Sequence, residues 1–323
     1  MEPKEKSGAG GKRYRTYDAY LKETFGRKCV KVGLDGGFSC PNRDGRKGTG
    51  GCAFCAHGGA ESMAGRFLPL REQYERGRAR LTRKWGEDAP AIAYFQAYTS
   101  TYGPVERLRA LYGEALSFEG VVGLTVATRA DALPPEVIAL LAELNGKTVL
   151  TVELGLQTAN DETAAKMNRG HTYAEVLAGY AALKGEGIRV CVHLIDGLPG
   201  EDREEMLRTA REVAALRPDA VKIHELYVRR GSALADEYER SPFPLLGEEE
   251  YVEILADQIE LLPPETVIER VTGDPERGTL LAPLWAANKK RILADLDKTL
   301  RRRGSVQGVR YSCTKNENPF CLN

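Results

Sequence analysis

Short and almost continuously apolar runs recur along this chain, separated by amphipathic segments. The runs cover residues 29–34, 91–97, 121–128, 148–154, 188–195 and 220–227. Runs without apolar and polar alternation are typical of parallel strands that are covered on both faces. The pattern therefore predicts six parallel strands.

The segments between these runs carry signals for helices. Pro134 and Pro135 precede a face of apolar residues that ends at Asn145-Gly146, and Thr172 with Glu175 forms a capping-box pair. Alternation of strands and helices predicts an α/β fold, a partial (βα)6 TIM-like barrel of parallel strands. Residues 248–261 and 287–303 also have helical patterns, without a comparable strand signal between them, which predicts a helical C-terminal extension.

These patterns divide the chain into three predicted parts. Residues 1–14 are polar, basic and glycine-rich, and we expect them to form a disordered leader. Residues 15–231 contain the barrel core. Residues 232–323 form the C-terminal helical extension and a tail, in which Cys313 and Cys321 have no histidine nearby and are not expected to bind metal.

Composition narrows the class of protein. Lysine and arginine together number 46, as do aspartate and glutamate, so net charge indicates neither a nucleic-acid partner nor an acidic one. No apolar stretch approaches the ~20 residues of a membrane-spanning helix, and the N-terminus lacks the apolar core of a secretion signal. The seven cysteines form no regular disulfide framework. We therefore expect a cytoplasmic protein with reduced thiols and no membrane association.

A glycine-rich loop directly after the first predicted strand holds Cys40, Cys52 and Cys55. Three thiolates could hold a 4Fe-4S cluster and leave one iron open for a ligand. With His57 they could instead form a closed Cys3His zinc site. Packing as small buried hydrophobes is less suited to a polar loop. The loop by itself supports an iron–sulfur cluster and a zinc site almost equally.

Polar side chains follow the other predicted strands. Gln96 comes at the end of the second strand, Thr128 at the end of the third, and Gln157 just after the fourth. The carboxyl ends of parallel strands form the ligand-binding edge of such folds. Convergence of polar groups from many strands favours an open cluster that receives a charged organic cofactor, because a structural zinc site does not require them.

Several motifs together resemble the radical S-adenosylmethionine (radical SAM) superfamily, in particular its YhcC/YtqA-like group. They are GGFSCPNRDG…GGCAFC, AYFQAYTSTY, ATRAD, ELGLQTANDETAAKMNRGH, HLIDGLPGE and LLAPLW, and they span about residues 28–310. The resemblance implies that Cys40, Cys52 and Cys55 hold a 4Fe-4S cluster. It also implies that the cluster reduces S-adenosylmethionine to a 5′-deoxyadenosyl radical that abstracts hydrogen from the substrate. The separation of Cys40 from Cys52 is longer than is usual in the superfamily.

The resemblance also implies contacts to S-adenosylmethionine. Phe54 corresponds to an aromatic residue near the adenine, and Gln96 lies where the second strand approaches the methionine amine. Gln157 and Arg169 match residues of the coproporphyrinogen-oxidase-like branch, in which the arginine pairs with the methionine carboxylate.

Two positions depart from that branch, because Ala127 and His193 replace acidic residues. Thr128 and His193 are therefore only candidates for contacts to the ribose. His193 could instead be a core histidine, Arg169 a surface charge, and Gln157 a partner of backbone at the strand end. We expect structural roles for His171 and His224.

The sequence gives less information on the substrate than on the cofactors. Elongator-like relatives act on tRNA, so the resemblance implies modification of a wobble-uridine side chain and tRNA as a partner, with flavodoxin or ferredoxin as the reducing partner. Two basic runs, at 66–84 and 289–303, could contact phosphates or could be solvated helix faces. Alternatives are a radical SAM enzyme for a small metabolite or porphyrin-like substrate and a zinc-stabilised, non-catalytic RNA-binding protein.

Overall fold

A curled sheet of parallel strands forms the centre of the protein. The computed structural model describes residues 11–56, 65, 68–276 and 278–312. The strands are β1 (Val30–Leu34), β2 (Ala91–Phe95), β3 (Val121–Thr128), β4 (Val149–Gln157), β5 (Arg189–Asp196), β6 (Ala220–Glu225), β7 (Val228–Arg229), β8 (Val267–Arg270) and β9 (Leu280–Ala282). The sheet has seven strands in the order β1-β2-β3-β4-β5-β6-β8, and β7 pairs with β9 separately.

Helices surround this sheet. They are α1 (Tyr17–Phe25), α2 (Leu70–Trp85), α3 (Val105–Leu116), α4 (Pro135–Asn145), α5 (Asp161–Lys166), α6 (Tyr173–Gly185), α7 (Arg203–Leu216), α8 (Ala233–Arg240), α9 (Glu248–Leu261) and α10 (Lys289–Arg302). Within the described ranges, no helix has both the length and the apolarity to cross a membrane. The predicted capping box of Thr172 and Glu175 starts α6.

The predicted partial barrel is confirmed, but it contains one strand more than the six that the sequence indicated. The additional strand, β8, lies between the two predicted C-terminal helices, where the sequence showed no comparable strand signal. It pairs in parallel with β6, with Ala220 opposite Val267. Its four residues are too few for a clear apolar run, which explains why the pattern did not reveal it.

The C-terminal extension shares the core of the barrel. Tyr251, Leu255 and Ile259 of α9 are fully buried in the same apolar cluster as the strands. Helix α10 packs on α9 and buries Ile292 and Leu296. These helices therefore cover the sheet rather than form a separate core.

The predicted leader is partly packed. Residues 1–10 lie outside the described residues, as do His57, Cys313 and Cys321. Tyr14 is buried, Lys12 pairs with Asp297 of α10, and the Arg13 carbonyl accepts from the Gln307 amide. Packing of the chain against the C-terminal helices thus begins before residue 15, because Tyr14 adds an apolar ring to the core.

The two edge strands of the sheet, β1 and β8, face each other across a gap. The backbone at Thr16 runs beside Ile268 of β8 as an isolated parallel bridge. The Lys31 ammonium of β1 lies 3.3 Å from the Glu269 carboxylate of β8. The segment before α1 and this ion pair therefore close the gap that the strands leave open.

Candidate active site

A cavity of about 280 Å³ lies at the carboxyl ends of the strands. All nine residues that the sequence singled out for the cluster and cofactor line it, namely Cys40, Cys52, Phe54, Cys55, Gln96, Thr128, Gln157, Arg169 and His193. They come from the cysteine loop, from the residue just after β2, from the strands β3, β4 and β5, and from the segment after α5. The sequence therefore located the cavity wall correctly, whereas the role of each residue stays a prediction.

The cysteine loop is held by backbone contacts on both sides. The Ala53 amide donates to the Met167 carbonyl at 2.9 Å, and the Ala53 carbonyl accepts from the Leu234 amide at 2.8 Å. Asn42, which is fully buried, donates from its side chain to the Asn168 carbonyl and lies 3.8 Å from the Cys52 sulfur. Contacts within the protein thus hold the loop in place.

Positive charge surrounds the Cys52 sulfur. One guanidinium nitrogen of Arg169 lies 3.1 Å from Cys52 Sγ. A hydrogen bond with Cys55, together with the charges of Arg169 and Arg129, holds the pKa of Cys52 well below its usual value. A lowered pKa favours the thiolate, which is the form that binds metals.

Arg169 is oriented by a network around it. Its second terminal nitrogen donates to the Gly155 carbonyl at 2.7 Å, and its own carbonyl accepts from Arg129 at 2.7 Å. Arg129 in turn makes a two-pronged ion pair with Asp131 at 2.9 and 2.8 Å. His171 lies between Arg169 and Asp131, at 3.4 and 3.7 Å. The structural role of His171 stays a prediction.

Gln157 has an unusual backbone conformation. Its φ of +77° lies in the left-handed region, and the pairing of β4 with β5 shifts register between Gly155 and Gln157. Such a bulge redirects a side chain. The left-handed backbone conformation costs roughly 1–3 kcal/mol for a residue other than glycine. Gln157 Oε1 and Arg169 Nε are buried without a hydrogen-bond partner among the described residues. Two orphaned polar atoms on one cavity wall fit a polar ligand.

The floor of the cavity is an ion network inside the barrel. Glu153 accepts from Lys31 at 2.7 Å, from Tyr94 at 2.6 Å and from Lys222. Burial opposes its charge, but Lys222 and Lys31 lower the pKa of Glu153 well below the usual value. His193 Nε2 lies 3.1 Å from the same carboxylate, so it donates the hydrogen and leaves Nδ1 as an acceptor.

The two candidates for ribose contacts already have partners. The Thr128 hydroxyl lies 2.5 Å from that of Thr101, and His193 is bound to Glu153. Both still line the cavity, so their contact with the ribose stays a prediction. His224 also faces this cavity, its Nδ1 bonds to the Glu225 carbonyl at 2.9 Å, and burial lowers its pKa to about 4.

Sequence reasoning missed several residues of the site. Asn42, Glu153 and Lys222 were not assigned, although each is almost completely buried. A signal was present for the last two, because a charged residue inside an apolar strand requires a buried partner. No comparable signal identified Asn42, which lies among other polar residues of the cysteine loop.

The three cysteines of the loop are candidates for holding a metal cluster. In the described parts of the chain, no group of three or more His, Cys, Asp and Glu side chains is placed to hold a metal ion. Cys40, Cys52 and Cys55 nevertheless line one cavity. Iron–sulfur clusters are held by cysteine thiolates and are larger than an ion. The three thiols are therefore the residues that could hold a cluster.

Comparison with known proteins identifies the family. Residues 43–213 match the sequence profile of the Radical SAM superfamily, and residues 218–302 match that of the Radical_SAM C-terminal domain. The chain belongs to the radical SAM superfamily. This radical SAM enzyme uses a 4Fe-4S cluster and S-adenosylmethionine, as the sequence resemblance implied.

Two full-length relatives are uncharacterised or named only by a gene. The chain is 44% identical to YtqA of Bacillus subtilis over 308 residues, which is 95% of each protein. It is 39% identical to YhcC of Escherichia coli K12 over 289 residues, which is 89% of this chain and 92% of that protein.

Solved structures share the fold. The archaeal Methanocaldococcus infernus Elp3 matches with a TM-score of 0.64 and 19% identity, over 86% of this chain and 64% of that one. Methylornithine synthase (PylB) matches with a TM-score of 0.53 and 14% identity, over 90% of this chain and 86% of that one. At these identities the likeness concerns the fold.

Proposed function

We propose that this radical SAM enzyme modifies tRNA by shortening or remodelling a carboxymethylaminomethyl-type side chain on wobble uridine. The observation that carries the proposal is a relative of known substrate. Over 156 residues the chain is 31% identical to the tRNA uridine(34) acetyltransferase of Methanocaldococcus jannaschii, which covers 47% of this chain and 28% of that protein. The chemistry suits the substrate, since the carbon–hydrogen bonds of such a side chain resist acid–base attack.

We assign the cavity residues to the following roles. Cys40, Cys52 and Cys55 hold the cluster, which together with S-adenosylmethionine supplies hydrogen-atom abstraction from carbon. Arg169 pairs with the methionine carboxylate, and Gln157 uses its orphaned oxygen as an acceptor. Phe54, Gln96, Thr128 and His193 complete the wall toward the cofactor.

The rim beside the cysteine loop supports approach of a nucleic acid. The Arg43 guanidinium lies 5.4 Å from the centre of the Tyr98 ring, and that of Arg46 lies 5.8 Å from the Tyr102 ring. Arginine on tyrosine is a platform on which nucleobases stack. An electron donor is also required, and we propose a flavodoxin or ferredoxin in that role.

Mass spectrometry of tRNA nucleosides tests the proposal. A strain without the gene should accumulate the longer wobble-uridine side chain, and the reconstituted enzyme should shorten it in that tRNA. An unchanged nucleoside profile would remove tRNA as the substrate and leave a small metabolite or porphyrin-like compound to be tested.

Metal analysis of anaerobically purified protein tests the cluster assignment separately. We expect iron and sulfide, a brown colour that bleaches with dithionite, and 5′-deoxyadenosine after reduction with S-adenosylmethionine. Stoichiometric zinc without iron would instead support the zinc-stabilised RNA-binding alternative.

A further inference from the structure

A second cavity, of about 760 Å³, lies at the carboxyl ends of β1, β2 and β3. Its walls come from the cysteine loop and from the segments that follow β2 and β3. The second cavity therefore lies at the same edge of the sheet as the central cavity. Its volume is within the range of about 300–1,000 Å³ that is common for ligand sites.

The wall between the two cavities is thin. Cys40 lines the central cavity, and the next residue, Pro41, lines the second. Thr128 lines the central cavity, and its hydroxyl lies 2.5 Å from that of Thr101, which lines the second. Neighbouring parts of one ligand can therefore occupy the two cavities side by side.

Contacts within the protein hold the walls of the second cavity in place. The Thr101 hydroxyl donates to the Ala132 carbonyl at 2.6 Å, which connects the segments after β2 and β3. The Lys47 amide donates to the Pro41 carbonyl at 2.8 Å and closes a turn of the cysteine loop. The shape of the cavity is therefore set by the fold.

Each of the two cavities contains one arginine–tyrosine pair. Arg43 and Tyr98, at 5.4 Å, line the central cavity, whereas Arg46 and Tyr102, at 5.8 Å, line the second. Both arginines come from the cysteine loop, and both tyrosines come from the segment after β2. The same surface for stacking a nucleobase is thus repeated in adjacent cavities.

Arg46 is the cation of the second cavity that is available to a ligand. It is exposed and makes no ion pair with any residue that the structure describes. Lys47 also lines the cavity, but it pairs with a carboxylate of α6 at 3.0 Å. Of the two acids in the wall, Asp131 is neutralised by its two-pronged ion pair with Arg129, and Glu136 is exposed.

We infer that the second cavity binds the nucleotide next to the one that enters the central cavity, with its base against Tyr102 and its phosphate at Arg46. The inference rests on the proposed tRNA function and adds the site of a second nucleotide. Enzymes that act on a base take its nucleotide out of the stack into a pocket. The RNA continues on both sides of that nucleotide, so a neighbour lies beside the mouth, where the second cavity is.

Binding of anticodon stem-loop RNAs to the reconstituted enzyme tests the inference. The RNAs contain the wobble uridine and are either complete or abasic at one of its two neighbours. One of the two abasic RNAs should bind the wild type about tenfold more weakly than the complete RNA, because it lacks the base that stacks on Tyr102.

Tyr102→Leu should bind the complete RNA about tenfold more weakly than the wild type. It should not distinguish the complete RNA from that abasic RNA, because both changes remove the same contact. Tyr102→Phe keeps the ring and should bind as the wild type does. Additive losses for Tyr102→Leu and each abasic RNA would overturn the inference, as would a wild type that binds none of these RNAs.

The dependence of binding on salt separates the phosphate from the base. Arg46→Ala should make the salt slope shallower by about 1, whereas Tyr102→Leu should leave it unchanged. Arg83→Ala and Trp85→Leu are matched controls, because both residues are exposed near the end of α2, which precedes β2 at the amino edge of the sheet. Equal losses in the control variants would overturn the inference.

The nucleoside profile of the deletion strain separates this inference from the proposed function. Additive losses together with an altered wobble uridine would overturn the second-nucleotide site and leave the proposed reaction. Coupled losses together with an unchanged profile would overturn the proposed reaction and leave the RNA site assigned.

Discussion

Arg169 connects the cysteine loop to the end of β4. It contacts the Cys52 sulfur and the Gly155 carbonyl with different nitrogens of one planar group, and lies 5.8 Å from the centre of the Phe54 ring. A lysine at this position keeps the charge but cannot make both contacts in a fixed geometry. Its role therefore depends on the guanidinium, and not on charge alone.

Arg169→Lys tests this role. We expect affinity for S-adenosylmethionine to fall about tenfold or more, because a lysine cannot hold the Cys52 and Gly155 contacts and also pair with the methionine carboxylate. Titration of the reconstituted protein measures the affinity, and iron content shows whether the cluster is retained. Arg208→Lys on the outer surface is the control. An unchanged dissociation constant would contradict the assignment.

Asp196 is a buried carboxyl group outside the cavity wall. Burial, and then the charges of Glu201 and Glu225, raise its pKa from 3.8 to about 7, although Gln258 donates to it at 2.7 Å. The folded protein thus keeps this proton to higher pH than the unfolded chain. Its contribution to stability is therefore lost as the pH rises from about 4 to about 7.

Asp196→Asn should remove this loss. At pH 8 the variant should melt at a higher temperature than the wild type. Its unfolding free energy should be greater by at most about 4 kcal/mol. Near pH 4 the two proteins should be equally stable. Melting curves across this range measure it. The opposite result would be a variant that loses stability relative to the wild type when the pH rises from 4 to 8. It would show that the charged carboxylate is stabilising.

At the scale of single residues, the sequence predicted which side chains line the cavity, because strand ends and a cysteine loop can be read from local patterns. It could not predict their orientation. The conformation of Gln157 depends on a bulge against β5, and the partners of Glu153 come from β1, β2, β5 and β6. Those contacts exist only once the sheet has curled.

At the scale of elements, α10 is basic for a structural reason. Arg303, just after α10, contacts Asp257 and Glu260 at 3.0 Å each, and also Glu253. Arg302 reaches Glu253 as well. The end of this basic run therefore binds the acidic face of α9.

Arg303→Met tests the importance of these ion pairs. We expect a loss of about 1–3 kcal/mol of unfolding free energy, because the almost buried carboxylates of Asp257 and Glu260 lose one of their counter-ions and keep only that of Arg310 and, for Asp257, Arg203. Arg302→Met is the matched control, since its side chain is 63% exposed and such pairs contribute about 0–1 kcal/mol. Chemical denaturation compares the two variants, and equal losses would contradict the distinction.

Strand β8, which the sequence did not predict, shows the limit of predicting elements from sequence. The helices α9 and α10 follow from periodicity and agree with the predicted ranges to within two residues. Strand β8 has four residues, and its identity as a strand comes from pairing with β6, which is distant in the chain. Such a short segment carries too little local signal to be separated from a loop.

At the scale of the whole molecule, the C-terminal third is required for the barrel to be stable. A chain that ends at residue 231, the predicted end of the core, would lose Tyr251, Leu255 and Ile259, which are fully buried against the strands. It would also expose the free edge of β6, where β8 now pairs.

We therefore expect the 1–231 fragment to aggregate or to melt without cooperativity, whereas the full chain melts cooperatively. Circular dichroism and light scattering on both proteins, handled in parallel, measure the difference. A cooperative transition in the fragment would establish residues 15–231 as an independently folding domain, as the predicted boundary has it.

The ion network below the central cavity has a kinetic consequence. Ion pairs of Glu153 with Lys222 and Lys31 connect β4, β6 and β1 below the cavity. Among the described residues, they close the floor of the cavity, so ligands enter from the carboxyl ends of the strands. When two ligands bind through one entrance, the one that binds last is released first. If the proposed function is right, bound tRNA should therefore delay release of the spent cofactor, and release of the tRNA should limit turnover.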